Sequence, residues 1–82
     1  MYEVTPPDPV AADQIAALPP EALPYLAEAL ALLEISPWTG RSSSPDNPGG
    51  NLRTLTFGGR GLLTYLVLEE QREVYVVRAQ WL

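Results

Sequence analysis

The stretch Leu62-Leu63-Thr64-Tyr65-Leu66-Val67-Leu68 constrains this chain more than any other feature. It is apolar on both faces, too short for an ordinary helix, and bounded by glycines on one side and acids on the other. A run of that length and pattern is a buried strand, and it belongs in the middle of a sheet. Its neighbours in sequence supply the flanking strands. Asn51 to Phe57 precedes it across Gly58-Gly59-Arg60-Gly61, and Glu73 to Leu82 follows across Glu70-Gln71-Arg72. Short Gly-rich connections between β-branched and aromatic runs are hairpin signals. The spacing predicts a three-stranded meander with 62–69 at its centre.

Prolines divide the first half. Tyr2 to Thr5 reads as a short strand closed by Pro6-Pro7. Asp8-Pro9 then offers an N-cap and a first helical position, predicting a helix over 9–18 that Pro19-Pro20 stops. A second helix is predicted over 21–35, with Leu23, Leu26, Leu30 and Leu33 at helical spacing and Glu21 and Glu28 opposite. Leu32 lies off that stripe. Pro24 fits only within the first turn, where a missing N–H costs little. Ser36-Pro37 ends the helix. Residues 36–51 show no periodicity, and a loop that long in a small domain is often functional; Trp38 is its expected anchor to the core. The chain therefore reads as a single α+β domain over residues 1–82. A helical hairpin packs on a small antiparallel sheet in the order β-α-α-β-β-β.

Composition removes several chemistries. There is no cysteine and no histidine, so no disulfide, no thiolate metal site and no imidazole base is available. No metal or cofactor is expected, because no motif for one is present. Gly58-Gly59-Arg60-Gly61 joins two strands, unlike a phosphate loop that opens a helix. The N-terminus has no signal-peptide pattern, and no apolar run approaches the roughly 18 to 20 residues that cross a bilayer. A cytoplasmic location without membrane contact is expected.

The net charge of −5 is unevenly placed. Residues 1–40 hold six acids and no base, whereas residues 41–82 hold four acids and all five arginines. Arg53 and Arg78 fall on the first and last meander strands and are expected to converge across a sheet face. Guanidinium groups match phosphate geometry and stabilise charge developing in phosphodiester cleavage. The alternative for both is a surface role, paired with Glu69, Glu70 or Glu73. Arg41 and Arg60 are candidates for binding RNA, and Trp81 for stacking on a base. Trp81 reads equally as a cap on the core edge, and Tyr65 and Tyr75 as core aromatics.

The phrases LPPEALPYLAEALALLEISPWTGR and NLRTLTFGGRGLLTYLVLEEQREVYVVRAQW resemble toxins of the RelE/ParE superfamily over nearly the whole chain. The resemblance implies a toxin held inactive by a cognate antitoxin. RelE-type members cleave mRNA on the ribosome without a metal, and ParE-type members of the same fold act on DNA gyrase. In this chain Arg53 would carry a RelE-type basic position on the second strand, with Arg78 as its catalytic partner. The pattern departs from the family at Leu55, where a lysine is expected, and at Leu62, where an arginine is common; Arg60 lies near the second place. The readings implied are a ribosome-dependent mRNA endonuclease, a gyrase inhibitor without catalytic activity, or a degenerate toxin that only binds its antitoxin.

Overall fold

The computed structural model describes residues 1–82. Its strands are β1 (Glu3–Val4), β2 (Arg41–Ser42), β3 (Leu52–Phe57), β4 (Gly61–Leu68) and β5 (Glu73–Trp81). They form one sheet in the order β1-β5-β4-β3-β2, which puts β4 at its centre as the apolar run requires. Leu63, Tyr65 and Val67 are buried, whereas Leu62, Leu66 and Leu68 on the other face are half-buried.

Two features correct the sequence reading of the sheet. It is mixed, because β1 runs parallel to β5 with Glu3 beside Glu73 and Val4 beside Val74. No tight turn links these strands, so hairpin geometry does not impose an antiparallel pairing. The chain keeps following β5 past β1, with Thr5 N–H donating to Val74 O at 3.0 Å and Asp8 N–H to Val76 O at 3.1 Å. The stretch 36–51 also contains β2, two residues paired antiparallel with Arg53 and Thr54. So short a strand has no periodicity to detect.

The helices are α1 (Pro9–Ala16) and α2 (Leu23–Ile35), the latter entered through a 3-10 turn at Pro20–Ala22. Asp8 caps α1, its carboxylate accepting from Val10 N–H at 3.0 Å. Pro24 falls at the second position of α2, where its missing donor removes no intrahelical bond. No helix is long and apolar enough to cross a membrane.

Ala11 from α1 and Leu26, Ala29 and Leu33 from α2 share one core with Phe57, Leu63, Tyr65, Val67, Val74, Val76 and Ala79. Both helices therefore cover the same face of the sheet. Of the predicted leucine stripe, Leu26 and Leu33 are buried, Leu30 is half-buried and Leu23 is exposed; small Ala22 and Ala29 let α2 approach closely. Leu32 is exposed as its position off the stripe predicts. The opposite face of the sheet carries no helix.

Candidate nucleic-acid interface

The bare face is built by strand register. Directly paired residues in neighbouring strands share a face. Arg41 pairs with Thr54, Thr54 with Thr64, and Thr64 with Arg78. These four residues form one row across β2, β3, β4 and β5, with an arginine at each end. Three inter-strand spacings separate the end residues, roughly 14 Å. Both arginines are exposed, and the threonines between them are half-buried.

Arg78 reaches this row because β5 is bulged. Val74 and Val76 face the helices, so strict alternation would send Arg78 inward too. Tyr65 instead pairs with Val76 while its neighbour Thr64 pairs with Arg78, which leaves Val77 as an extra residue. One inserted residue exchanges the faces of everything beyond it. Ala79 is buried, and Arg78 and Gln80 are exposed. The signal for this is in the sequence: apolar positions shift from the even 74 and 76 to the odd 79 and 81.

Arg53 has the opposite fate. It pairs with Tyr65 on the helix-covered face and is only 8% exposed. Its Nε donates to Gly40 O at 2.9 Å, and its Nη1 donates to Gly50 O at 2.7 Å and Pro48 O at 3.3 Å. The guanidinium carbon lies 5.2 Å from the centre of the Trp38 ring. The expected convergence of Arg53 and Arg78 on one face therefore does not occur. The bulge puts the sheet between them, and Arg53 spends its donors on the loop carbonyls.

Tyr65 completes this inner clasp. Its hydroxyl donates to Pro37 O at 2.6 Å and accepts from Gly40 N–H at 3.2 Å. Burial pushes the hydroxyl above its ordinary pKa; the Gly40 hydrogen bond and the Arg53 charge pull the other way. A Cβ on Gly40 would lie within 2.3 Å of that hydroxyl and 2.5 Å of Thr54 O, so only glycine fits. Sequence reasoning missed this role of Tyr65 and Gly40. An aromatic in an apolar run gives no sign that its hydroxyl has backbone partners.

The other candidates divide between the faces. Arg41 borders a depression of about 400 Å³ with Thr39, Gly40, Thr54, Thr56 and Leu62. Arg60, in the β3–β4 turn, borders a second one that shares Thr56 and Leu62. The bare face thus runs on from Arg41 to Arg60. Trp81 lies on the helix side, half-buried with its ring centre 5.7 Å from that of Phe57. It packs against the core edge, away from the arginine row. Trp38 is 39% exposed and reaches Glu69 Oε1 through Nε1 at 3.1 Å, so it anchors its loop at the surface. Tyr75 donates to Asp8 Oδ1 at 3.0 Å, and this bond raises its pKa. The single ion pair is Arg72 with Glu69 at 3.8 Å, which leaves Arg41, Arg60 and Arg78 free of carboxylates. No cluster of acids suited to a metal ion is present.

No family model matches the sequence, and no curated protein resembles it significantly. Solved structures do. A chain of the RelBE2 toxin–antitoxin complex from Mycobacterium tuberculosis superimposes with a TM-score of 0.81 at 20% identity, over 99% of this chain and 98% of that one. A chain of the intact E. coli RelBE toxin–antitoxin complex gives 0.80 at 16% identity, over 100% and 98%. Identities this low speak for architecture alone: across its full length the chain shares the fold of these two chains.

Proposed function

We propose that this chain is the toxin of a type II toxin–antitoxin pair, and that it acts on mRNA at the ribosome through the bare face of its sheet. The reading is supported by the whole-length likeness to chains of two RelBE complexes. The observation that carries the RNA-directed part is the row Arg41–Thr54–Thr64–Arg78, whose guanidinium groups have no carboxylate partner. Free arginines flanking hydroxyls suit a phosphodiester chain laid across the strands, with Arg60 beside its path. Arg78 and Arg41 take the roles of binding phosphate and stabilising charge on it. With no histidine or lysine in the chain, cleavage would rest on positioning and charge stabilisation. A cognate antitoxin would silence the protein, and the site of action would be the cytoplasm.

A gyrase-directed inhibitor without chemistry is the second reading. It is favoured by the burial of Arg53 and by the net charge of −5. Purified chain incubated with programmed ribosomes, read by primer extension on the mRNA, separates the two. Cleavage should appear with the wild type and fall about 10² to 10³-fold in Arg78→Ala, as for loss of one donor to developing charge. Intact mRNA together with gyrase trapped on DNA overturns the nuclease reading. Unimpeded growth of a bacterial host at high soluble expression overturns the toxin itself.

A further inference from the structure

We infer that Arg53 is a positioning residue for the proposed RNA-binding face, holding Arg41 in the row from the opposite side of the sheet. The inference rests on the RNA-directed reading above. It differs from the role expected of a basic residue at this place, which is to touch phosphate directly.

The geometry supplies the linkage. Arg53 Nε holds Gly40 O, on the peptide that leads directly into Arg41. Tyr65 Oη holds Gly40 N–H. The residue preceding Arg41 is thus fixed through both its donor and its acceptor. Arg53 Nη1 gathers Gly50 O and Pro48 O from the far end of the same loop. One side chain therefore closes the loop 40–50 across its base. Ser42 tightens the loop further, donating to Asn47 O at 2.6 Å. Without this closure β2 is two residues paired at an edge, too short to persist alone.

The electrostatics argue for a purpose beyond packing. A buried guanidinium with no carboxylate is costly, and an apolar residue of similar volume would fill the site at lower cost. Carbonyl dipoles and the Trp38 ring compensate the charge only because the loop wraps around it. The charge makes the wrapping obligatory, and the wrapping sets Arg41 on the other face. Lysine, with a compact ammonium, cannot reach three separated carbonyls in one plane as the fork does.

The test is a double-mutant cycle read by binding of a short single-stranded RNA, with affinity measured over a range of salt. Each phosphate contact adds about 0.7 to the slope of log affinity against log salt. Arg41→Ala should lower the slope by about that amount. If Arg53 acts through Arg41, Arg53→Met should lower it equally, and the double variant should be no weaker than either single one. Arg53→Met combined with Arg78→Ala should be additive. A fall of about 1.4 in the Arg41/Arg53 double variant would mean that Arg53 touches phosphate itself, and overturns the inference. Unchanged binding by Arg53→Met also overturns it. Arg53→Lys, which keeps the charge and lacks the fork, carries the same test if the methionine variant fails to fold. Wild-type protein that binds no RNA defeats the RNA-directed reading alone. Positioning is then decided by hydrogen exchange in the free protein. Loss of amide protection at Arg41–Ser43 in the Arg53 variant, with β3–β4 still protected, supports it; retained protection there overturns it.

Discussion

On its covered side the sheet presents Leu63, Tyr65, Val67, Val74, Val76 and Ala79 to the helices, all at 2% exposure or less. On its bare side the same strands present Arg41, Thr54, Thr64 and Arg78 in one row, with Leu62, Leu66 and Leu68 half-buried around it. The covered side is a core that tolerates little change of volume. The bare side keeps apolar residues out of water only partly and leaves its charges free. What separates an inner arginine from an outer one is a single extra residue in β5. Arg53 and Arg78 are chemically alike, yet one holds loop carbonyls from within and the other lies exposed on the bare face. Residue type alone does not assign a role in such a sheet; the face does.

Exchanging Arg78 and Ala79, by Arg78→Ala with Ala79→Arg, should have the largest effect, because the bulge turns position 79 inward and position 78 outward. The arginine would then lie at a site only 2% exposed. An unpaired charge in the core costs about 3 to 5 kcal/mol, against total stabilities of roughly 5 to 15 kcal/mol for domains. The exchanged variant should lack a cooperative thermal transition. A folded variant with an intact transition would mean that the bulge can slide, and that the faces are less fixed than the register indicates.

Truncations on either side of β4 sharpen the contrast. Leu63→Ala, at a site with no exposure, should cost about 2 to 5 kcal/mol in urea unfolding. Leu62→Ala, one residue away on the bare face, should cost about 1 kcal/mol, since only part of its surface leaves water on folding. Equal losses would show that something covers the bare face in the isolated protein. Tyr65→Phe tests the clasp within the covered side. It strands Pro37 O and Gly40 N–H in the interior, at about 1 to 3 kcal/mol. Faster hydrogen exchange at Gly40 should accompany the loss; an unchanged rate would show that the hydroxyl does not hold the loop.

Much of this fold was legible in the sequence because its signals are long. The double-faced run 62–68 identifies the central strand, and the proline pairs bracket both helices within a few residues. The parallel β1–β5 pairing was not legible, since two residues carry no register and the pairing partner lies 70 positions away (Glu3 and Glu73). The two arginines expected to share a face, Arg53 and Arg78, lie on opposite ones. Their places on the two strands that flank β4 suggested convergence, whereas the odd spacing of Ala79 and Trp81 already encoded the bulge. Arg53's partners are backbone carbonyls of Gly40, Pro48 and Gly50, which no residue pattern announces. Trp38, read as a core anchor, instead reaches out to Glu69.

That last contact gives the smallest expected effect and a pH dependence with a definite sign. Glu69 Oε1 accepts from Tyr2 Oη at 2.5 Å and from Trp38 Nε1 at 3.1 Å, while Arg72 pairs with Oε2. The Tyr2 hydrogen bond, then that of Trp38, lowers the carboxyl pKa below its ordinary value, and the Arg72 charge adds to this. A group depressed in the folded state stabilises the fold above its unfolded pKa of about 4.3, and loses that contribution as pH falls through the depressed value. Glu69→Gln keeps an acceptor for both donors and removes only the charge. At neutral pH the wild type should therefore melt slightly higher than the variant. Because the carboxylate is exposed and its pairing screened, the gap should be small and shrink further in salt. It should close as acid protonates Glu69, with the two melting curves converging below the ordinary carboxylate range. A difference that is the same at pH 7 and at pH 3 would show that Glu69 joins Tyr2, Trp38 and Arg72 through shape alone. The surface clasp would then share the neutral character of the Tyr65 contacts inside.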